Sequence, residues 1–138
     1  MVTLIGMGSG SWEALSAQAQ DAVRRAGLVF GAKRLLAGLP PECTARQFAL
    51  YQPAEILETL AQAPGQDAAV LYSGDTGFYS GASGLLTPLR ALGIPARVYP
   101  GVSSIQLLAA ALGRPWQDWK LVSAHGCACD PVAQCMTE

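Results

Sequence analysis

The strongest constraint on this chain is a recurring pattern in which short apolar runs stop at glycine and are separated by segments of helical periodicity. Residues 2–5 form the first run and end in Gly6-Met7-Gly8-Ser9-Gly10. Leu28–Phe30 ends at Gly31, Ala68–Tyr72 ends in Ser73-Gly74-Asp75-Thr76-Gly77, and Ala96–Tyr99 ends in Pro100-Gly101. Runs that are apolar throughout, rather than alternating, read as strands buried on both faces. With helices between them they predict an α/β fold, an open five-stranded parallel sheet with helices on both faces. Residues 46–49 supply the remaining strand, more weakly marked, and residues 120–124 are expected to begin another.

The helical segments carry their own punctuation. Leu15, Ala19, Ala22, Val23 and Ala26 recur at helical spacing opposite Gln18, Asp21 and Arg25, with Ser16 as N-cap and Gly27 as the closing C′ residue. A short helical stretch through Leu35 and Leu36 ends at Gly38 and Pro40-Pro41. Pro53 opens a helix at N1, with Glu55 and Glu58 near its positive end and Ile56, Leu57, Leu60 and Ala61 turned inward. Leu85, Leu86, Leu89 and Leu92 mark a further helix in which Pro88 predicts a kink or break. Ile105, Leu108, Ala109 and Leu112 form a last stripe behind Ser103 and Ser104 as caps.

Composition removes several classes of function. At 138 residues the chain matches about one ordinary domain. Apolar residues make up 51% and charged residues 14%, which excludes intrinsic disorder. The net charge of -1 is spread singly along the chain, so no basic stripe exists for nucleic acid. Mean hydropathy is high, at +0.27, yet no apolar run approaches the ~20 residues of a membrane span. The opening Met1-Val2-Thr3-Leu4-Ile5-Gly6 lacks the basic region of an export signal, so a cytoplasmic protein with free thiols is expected. His125, Cys127, Cys129 and Cys135 crowd the end of the chain, but H-x-C-x-C-x5-C lacks the paired spacing of zinc sites, and no metal is expected.

In an open parallel sheet, ligands bind at the carboxyl ends of the strands, where this chain places its glycine loops. The dinucleotide fingerprint fails there, because Ser11 stands where the third glycine belongs and Lys33-Arg34 replaces the acidic residue after the second strand. No glycine run is followed by Gly-Lys-Ser/Thr, and no nucleophile-elbow serine is present. Asp75 reads equally well as a turn former. What remains is a pocket of backbone groups and hydroxyls, suited to positioning reagents that carry their own reactivity.

Three of these loops carry a resemblance. Leu4-Ile5-Gly6-Met7-Gly8-Ser9-Gly10, Ser73-Gly74-Asp75-Thr76-Gly77-Phe78-Tyr79 and Tyr99-Pro100-Gly101-Val102-Ser103-Ser104 resemble, in order and at the right intervals, the signatures of the tetrapyrrole (corrin/porphyrin) methylases. Ser9 and Thr76 stand where that family commonly has proline. Gly31-Ala32-Lys33-Arg34-Leu35-Leu36, Gly77-Phe78-Tyr79-Ser80-Gly81, Pro115-Trp116-Gln117-Asp118 and Val122-Ser123-Ala124-His125-Gly126 are similar to its precorrin-6Y C5,15-methyltransferase branch.

The resemblance implies two α/β domains with S-adenosylmethionine in the cleft between them. It divides this chain into an N-terminal domain, residues 1–118, and the beginning of a truncated second domain, residues 119–138. Cofactor contacts would fall on Ser9, Gly74, Asp75, Thr76, Tyr79, Ser103 and Ser104. Gly6, Gly8 and Gly10 would lie beside the tetrapyrrole, with Lys33 and Arg34 facing its acidic side chains. The implied activity is C-methylation of a precorrin at C5 in cobalamin biosynthesis, by a homodimer, with a fused or separate decarboxylating C15-methyltransferase domain as partner. Two other readings stay open, an incomplete or inactive fragment of such an enzyme and a nucleotide-binding oxidoreductase domain.

Overall fold

The computed structural model describes residues 1–77 and 80–122. Five strands, β1 (Val2–Gly6), β2 (Leu28–Phe30), β3 (Arg46–Phe48), β4 (Ala68–Tyr72) and β5 (Ala96–Tyr99), alternate with five α-helices. The helices are α1 (Ala17–Arg25), α2 (Lys33–Leu36), α3 (Pro53–Ala61), α4 (Ala82–Ala91) and α5 (Ser104–Leu112). The sheet order is β3-β2-β4-β1-β5, and all its ladders are parallel. The chain divides into a compact unit Met1–Ser104, which holds the sheet, and a second unit Ile105–Glu138.

Pleating sorts the strand side chains onto two faces. Ile5, Val29, Ala69 and Leu71 join Val23 of α1 and Leu35 and Leu36 of α2 in one core. Val2, Leu4, Leu28, Phe30, Ala68 and Val70 join Ile56 of α3 and Leu85 and Leu89 of α4 in the other. The three central strands are therefore mostly apolar because both faces are covered, with Thr3 of β1 buried among them at 6% exposure. The edges differ. Both Arg46 and Gln47 of β3 are exposed, and the strand is anchored by Phe48 stacking on Phe30, 5.2 Å between ring centres. Strand β5 is also incompletely covered, with Arg97 and Val98 exposed, so the expectation of five strands buried on both faces holds only for β1, β2 and β4.

Most local signals behave as chemistry dictates, although Ala61 of α3, expected to turn inward, is exposed. The Ser16 hydroxyl accepts from the Ala19 N–H at 3.2 Å and caps α1, and Pro53 opens α3. Gly27 stands at C′ of α1, just past the C-cap Ala26, and donates to the Asp67 carbonyl at 2.8 Å as the chain enters β2. Pro88 does not break α4, which runs through it. In the second unit, α5 ends at Gly113 (φ +65°) with Arg114 donating to Ala109 and Gly113 to Ala110, a Schellman closure. Residues 120–122 form no strand, and the rest of that expected strand lies outside the described residues. No helix among the described residues is long and apolar enough to cross a membrane.

Candidate functional site

The first strand connects through α1 on one face of the sheet, and β4 connects through α4 on the other. Because β1 and β4 are neighbours, the connections diverge between them, and the sheet's switch point lies at Gly6 and Tyr72. In many folds of this kind that divergence opens a crevice. Here the main chain closes its floor. The Met7 N–H donates to the Tyr72 carbonyl at 2.7 Å, continuing the ladder. Gly8 and Gly74 then exchange two hydrogen bonds, 3.1 and 2.9 Å, in an antiparallel bridge. Both adopt left-handed backbone, φ +60° and +64°, which is why both positions call for glycine.

The loop after β5 meets the same point. A Cβ on Gly101 would lie 2.2 Å from the Gly74 carbonyl oxygen and 2.6 Å from that of Gly6, so three main chains converge with no room for a side chain. Asp75 fastens the junction. Its Oδ1 accepts from the Gly101 N–H at 3.1 Å and its Oδ2 from the Gly77 N–H at 3.2 Å. The turn-former role is therefore real, and a bridge between two loops is added to it. Ser103 abuts Gly74, whose Cβ would sit 3.8 Å from the Ser103 Cα, and Val102 abuts Gly8.

Around this junction the structure places the other candidate residues unevenly. Thr76 and Ser103 are buried, at 9% and 5% exposure. Ser9, Ser104, Lys33 and Arg34 are exposed. Gly10 leans on α2, where a Cβ would touch Leu35 at 3.8 Å, and Gly38 packs against the Gly10 carbonyl. The Gly8 and Gly74 amides are consumed by each other and the Gly101 amide by Asp75. These glycines build the rim, and ligand donors must come from the hydroxyls and the remaining loop amides. Tyr79, His125, Cys127, Cys129 and Cys135 lie outside the described residues.

Two residues escaped the sequence reading. Ser73, the first residue after β4, accepts a hydrogen bond from the Arg34 guanidinium. Tyr72, the last residue of β4, has a buried hydroxyl with no hydrogen-bond partner among the described residues. Burial pushes its phenol up to about 12. Only the position of each at a strand end could have flagged them. A shallow polar cleft of about 190 Å³ is lined by Thr3, Arg25, Asp67, Arg97 and Tyr99, the last of which opens the third signature segment.

The chain is 34% identical over 128 residues to the cobalt-precorrin-7 C(5)-methyltransferase of Salmonella typhimurium, covering 91% of this chain and 62% of that protein. It is 33% identical over 120 residues to the precorrin-4 C(11)-methyltransferase of Mycobacterium tuberculosis, covering 82% of this chain and 48% of that protein. Among solved structures, uroporphyrin-III C-methyltransferase from Thermus thermophilus, complexed with S-adenosylhomocysteine, superposes with a TM-score of 0.65 at 27% identity, over 91% of this chain and 52% of that one. The chain thus spans about half to three fifths of these relatives. Residues 1–134 match the profile of the tetrapyrrole (corrin/porphyrin) methylases, and the chain belongs to that family.

Proposed function

We propose that this chain is the cofactor-side part of an enzyme that uses S-adenosylmethionine to methylate a precorrin, at C5 of a precorrin-6Y or 6B type substrate, in cobalamin biosynthesis. The observation that carries the proposal is the junction itself. Three loops that resemble the family signatures separately are joined by Gly8–Gly74 and Asp75–Gly101 hydrogen bonds into one rim at the switch point. The C5 assignment draws on the Salmonella relative and on the branch-like segment around Lys33 and Arg34. The C(11) relative of similar identity names the alternative carbon.

The donor set at the rim fits the cofactor. Ser9 and Ser104 present exposed hydroxyls, and Thr76 and Ser103 lie buried in the same set of loops. Such groups suit a ribose or carboxylate, and no titrating side chain is required. The cofactor supplies an electrophilic methyl on sulfonium. The chain contributes orientation, since a rim built from close-packed main chain holds its groups in place before any ligand arrives. It also contributes water exclusion, through the buried Met7 and Thr76 beneath the loops. Lys33 and Arg34 give the rim positive charge toward a polycarboxylate tetrapyrrole. A cytoplasmic homodimer belongs to the same proposal, with the edge strand β5 and its exposed Val98 as surface for a second copy.

An inactive fragment of such an enzyme and a nucleotide-binding oxidoreductase domain are the readings set against it. Calorimetry separates the possibilities. Binding of S-adenosylhomocysteine with no response to NADP supports the cofactor assignment. Tight nicotinamide binding without a response to S-adenosylhomocysteine overturns it. Methyl transfer to a precorrin substrate by the 138-residue chain would set aside the inactive reading.

A further inference from the structure

We infer that Ser73 is a positioning residue, whose hydroxyl holds the Arg34 guanidinium at the strand-end rim, and that Arg34 so held reads a carboxylate of the substrate. The inference rests on the tetrapyrrole proposal above, because it concerns the acid-bearing substrate of that same site.

Arg34 sits in α2, just after β2, and Ser73 is the first residue after β4. The two strands are paired neighbours, with Phe30 opposite Val70. The hydrogen bond between Arg34 and Ser73 thus links positions 39 apart in sequence across the tops of adjacent strands. Helix α2 is itself set against the first signature loop through the Gly10–Leu35 and Gly38–Gly10 contacts. The guanidinium is consequently fixed relative to two loops of the rim.

The choice of anchor is informative. Arg24, elsewhere on the surface, is compensated by Glu42 at 3.0 Å and Asp21 at 3.4 Å. Arg34 forms no ion pair among the described residues, and Asp75 gives both its carboxylate oxygens to main-chain N–H groups instead. A hydroxyl orients a guanidinium without neutralising it, and a single contact leaves most of the N–H fork unused. A planar fork held in place with its charge intact matches a carboxylate in bidentate geometry. Lys33, exposed on the same helix, has no such anchor among the described residues and must lose its full side-chain freedom on binding.

The test is a double-mutant cycle on the 138-residue chain, with uroporphyrin I, an octacarboxylate tetrapyrrole, as the probe read by fluorescence quenching. S-adenosylhomocysteine calorimetry and thermal melting are run on each variant. Arg34→Ala should weaken porphyrin binding about tenfold, the scale of losing a charged hydrogen bond. Ser73→Ala should weaken it about threefold, with Ser73→Thr restoring it, and Lys33→Ala, which removes an unanchored charge, should weaken it less than Arg34→Ala does. The double variant should bind no worse than Arg34→Ala alone, because Ser73 acts only through Arg34. S-adenosylhomocysteine affinity and melting temperature should stay level throughout. Additive losses in the double variant, or no effect of Ser73→Ala, overturn the inference. Wild-type chain that binds S-adenosylhomocysteine but not uroporphyrin overturns it while leaving the cofactor assignment standing. Failure to bind either ligand overturns the functional proposal itself.

Discussion

The rim at the strand ends is built in two ways. Around β1, β4 and β5, main chains meet so closely that a Cβ on Gly101 would fall 2.2 Å from a carbonyl oxygen. Around β2, the rim is the short helix α2, tied across by one long side chain, Arg34, to Ser73. The first construction is close-packed main chain, and the second is a single side-chain hydrogen bond that holds an uncompensated charge. Under the proposed function, this difference matches what each side must do. A cofactor of constant shape suits the close-packed side, and a macrocycle bearing acidic arms suits a guanidinium held in place with its charge intact.

Substitutions can break the rigid side in graded steps. Gly101→Ala should have the largest effect, a loss of about 3 kcal/mol or more, because backbone rather than a movable side chain must give way. Urea denaturation measures it, and a loss under about 1 kcal/mol would mean that the junction yields easily. Asp75→Ala should cost about 1–2 kcal/mol, the scale of two partly exposed hydrogen bonds to a charged group. It should also weaken S-adenosylhomocysteine binding by separating the loops. Asp75→Asn, which keeps one acceptor oxygen, should fall between Ala and the wild type. If Asp75→Ala lowers stability while leaving that binding unchanged, Asp75 is a local turn former and nothing more.

The smallest expected effect lies at the edge of the rigid side. Tyr72→Phe removes a buried hydroxyl that has no partner among the described residues. Stability near neutral pH should change by under about 0.5 kcal/mol, or rise. The pH dependence is more telling. Burial raises the folded-state phenol to about 12, above its ordinary value of 10.0. A group raised in this way contributes stability that is complete below pH 10 and lost as pH climbs toward 12. Tyr72→Phe should flatten the decline in stability across that window, relative to wild type. An equally steep decline in the variant would place Tyr72 in a wetter setting than its burial indicates.

The sequence made the central sheet legible because burial on both faces leaves little that is polar to interrupt an apolar run, Thr3 of β1 being buried within one. Strands β1, β2 and β4 follow that rule. Strand β3 hides from it, since Arg46 and Gln47 face solvent and only Phe48 packs inward. The loop glycines were readable as a group at one sheet edge. Their division of labour was not, because it depends on β1 lying between β4 and β5 in the sheet. That order brings Gly101 to Asp75, 26 residues away in sequence, and no local pattern encodes it. The same holds for Ser73 and Arg34, which meet only because β2 and β4 are neighbours.

Amide hydrogen exchange with and without S-adenosylhomocysteine tests the central claim most directly, because it reports on every loop of the rim in one measurement. The three-loop rim predicts that residues 6–10, 73–77 and 101–104 gain protection together on adding the ligand, while the polar cleft near Arg25 and Arg97 does not respond. Protection confined to one of those loops, or centred on that cleft, would contradict it.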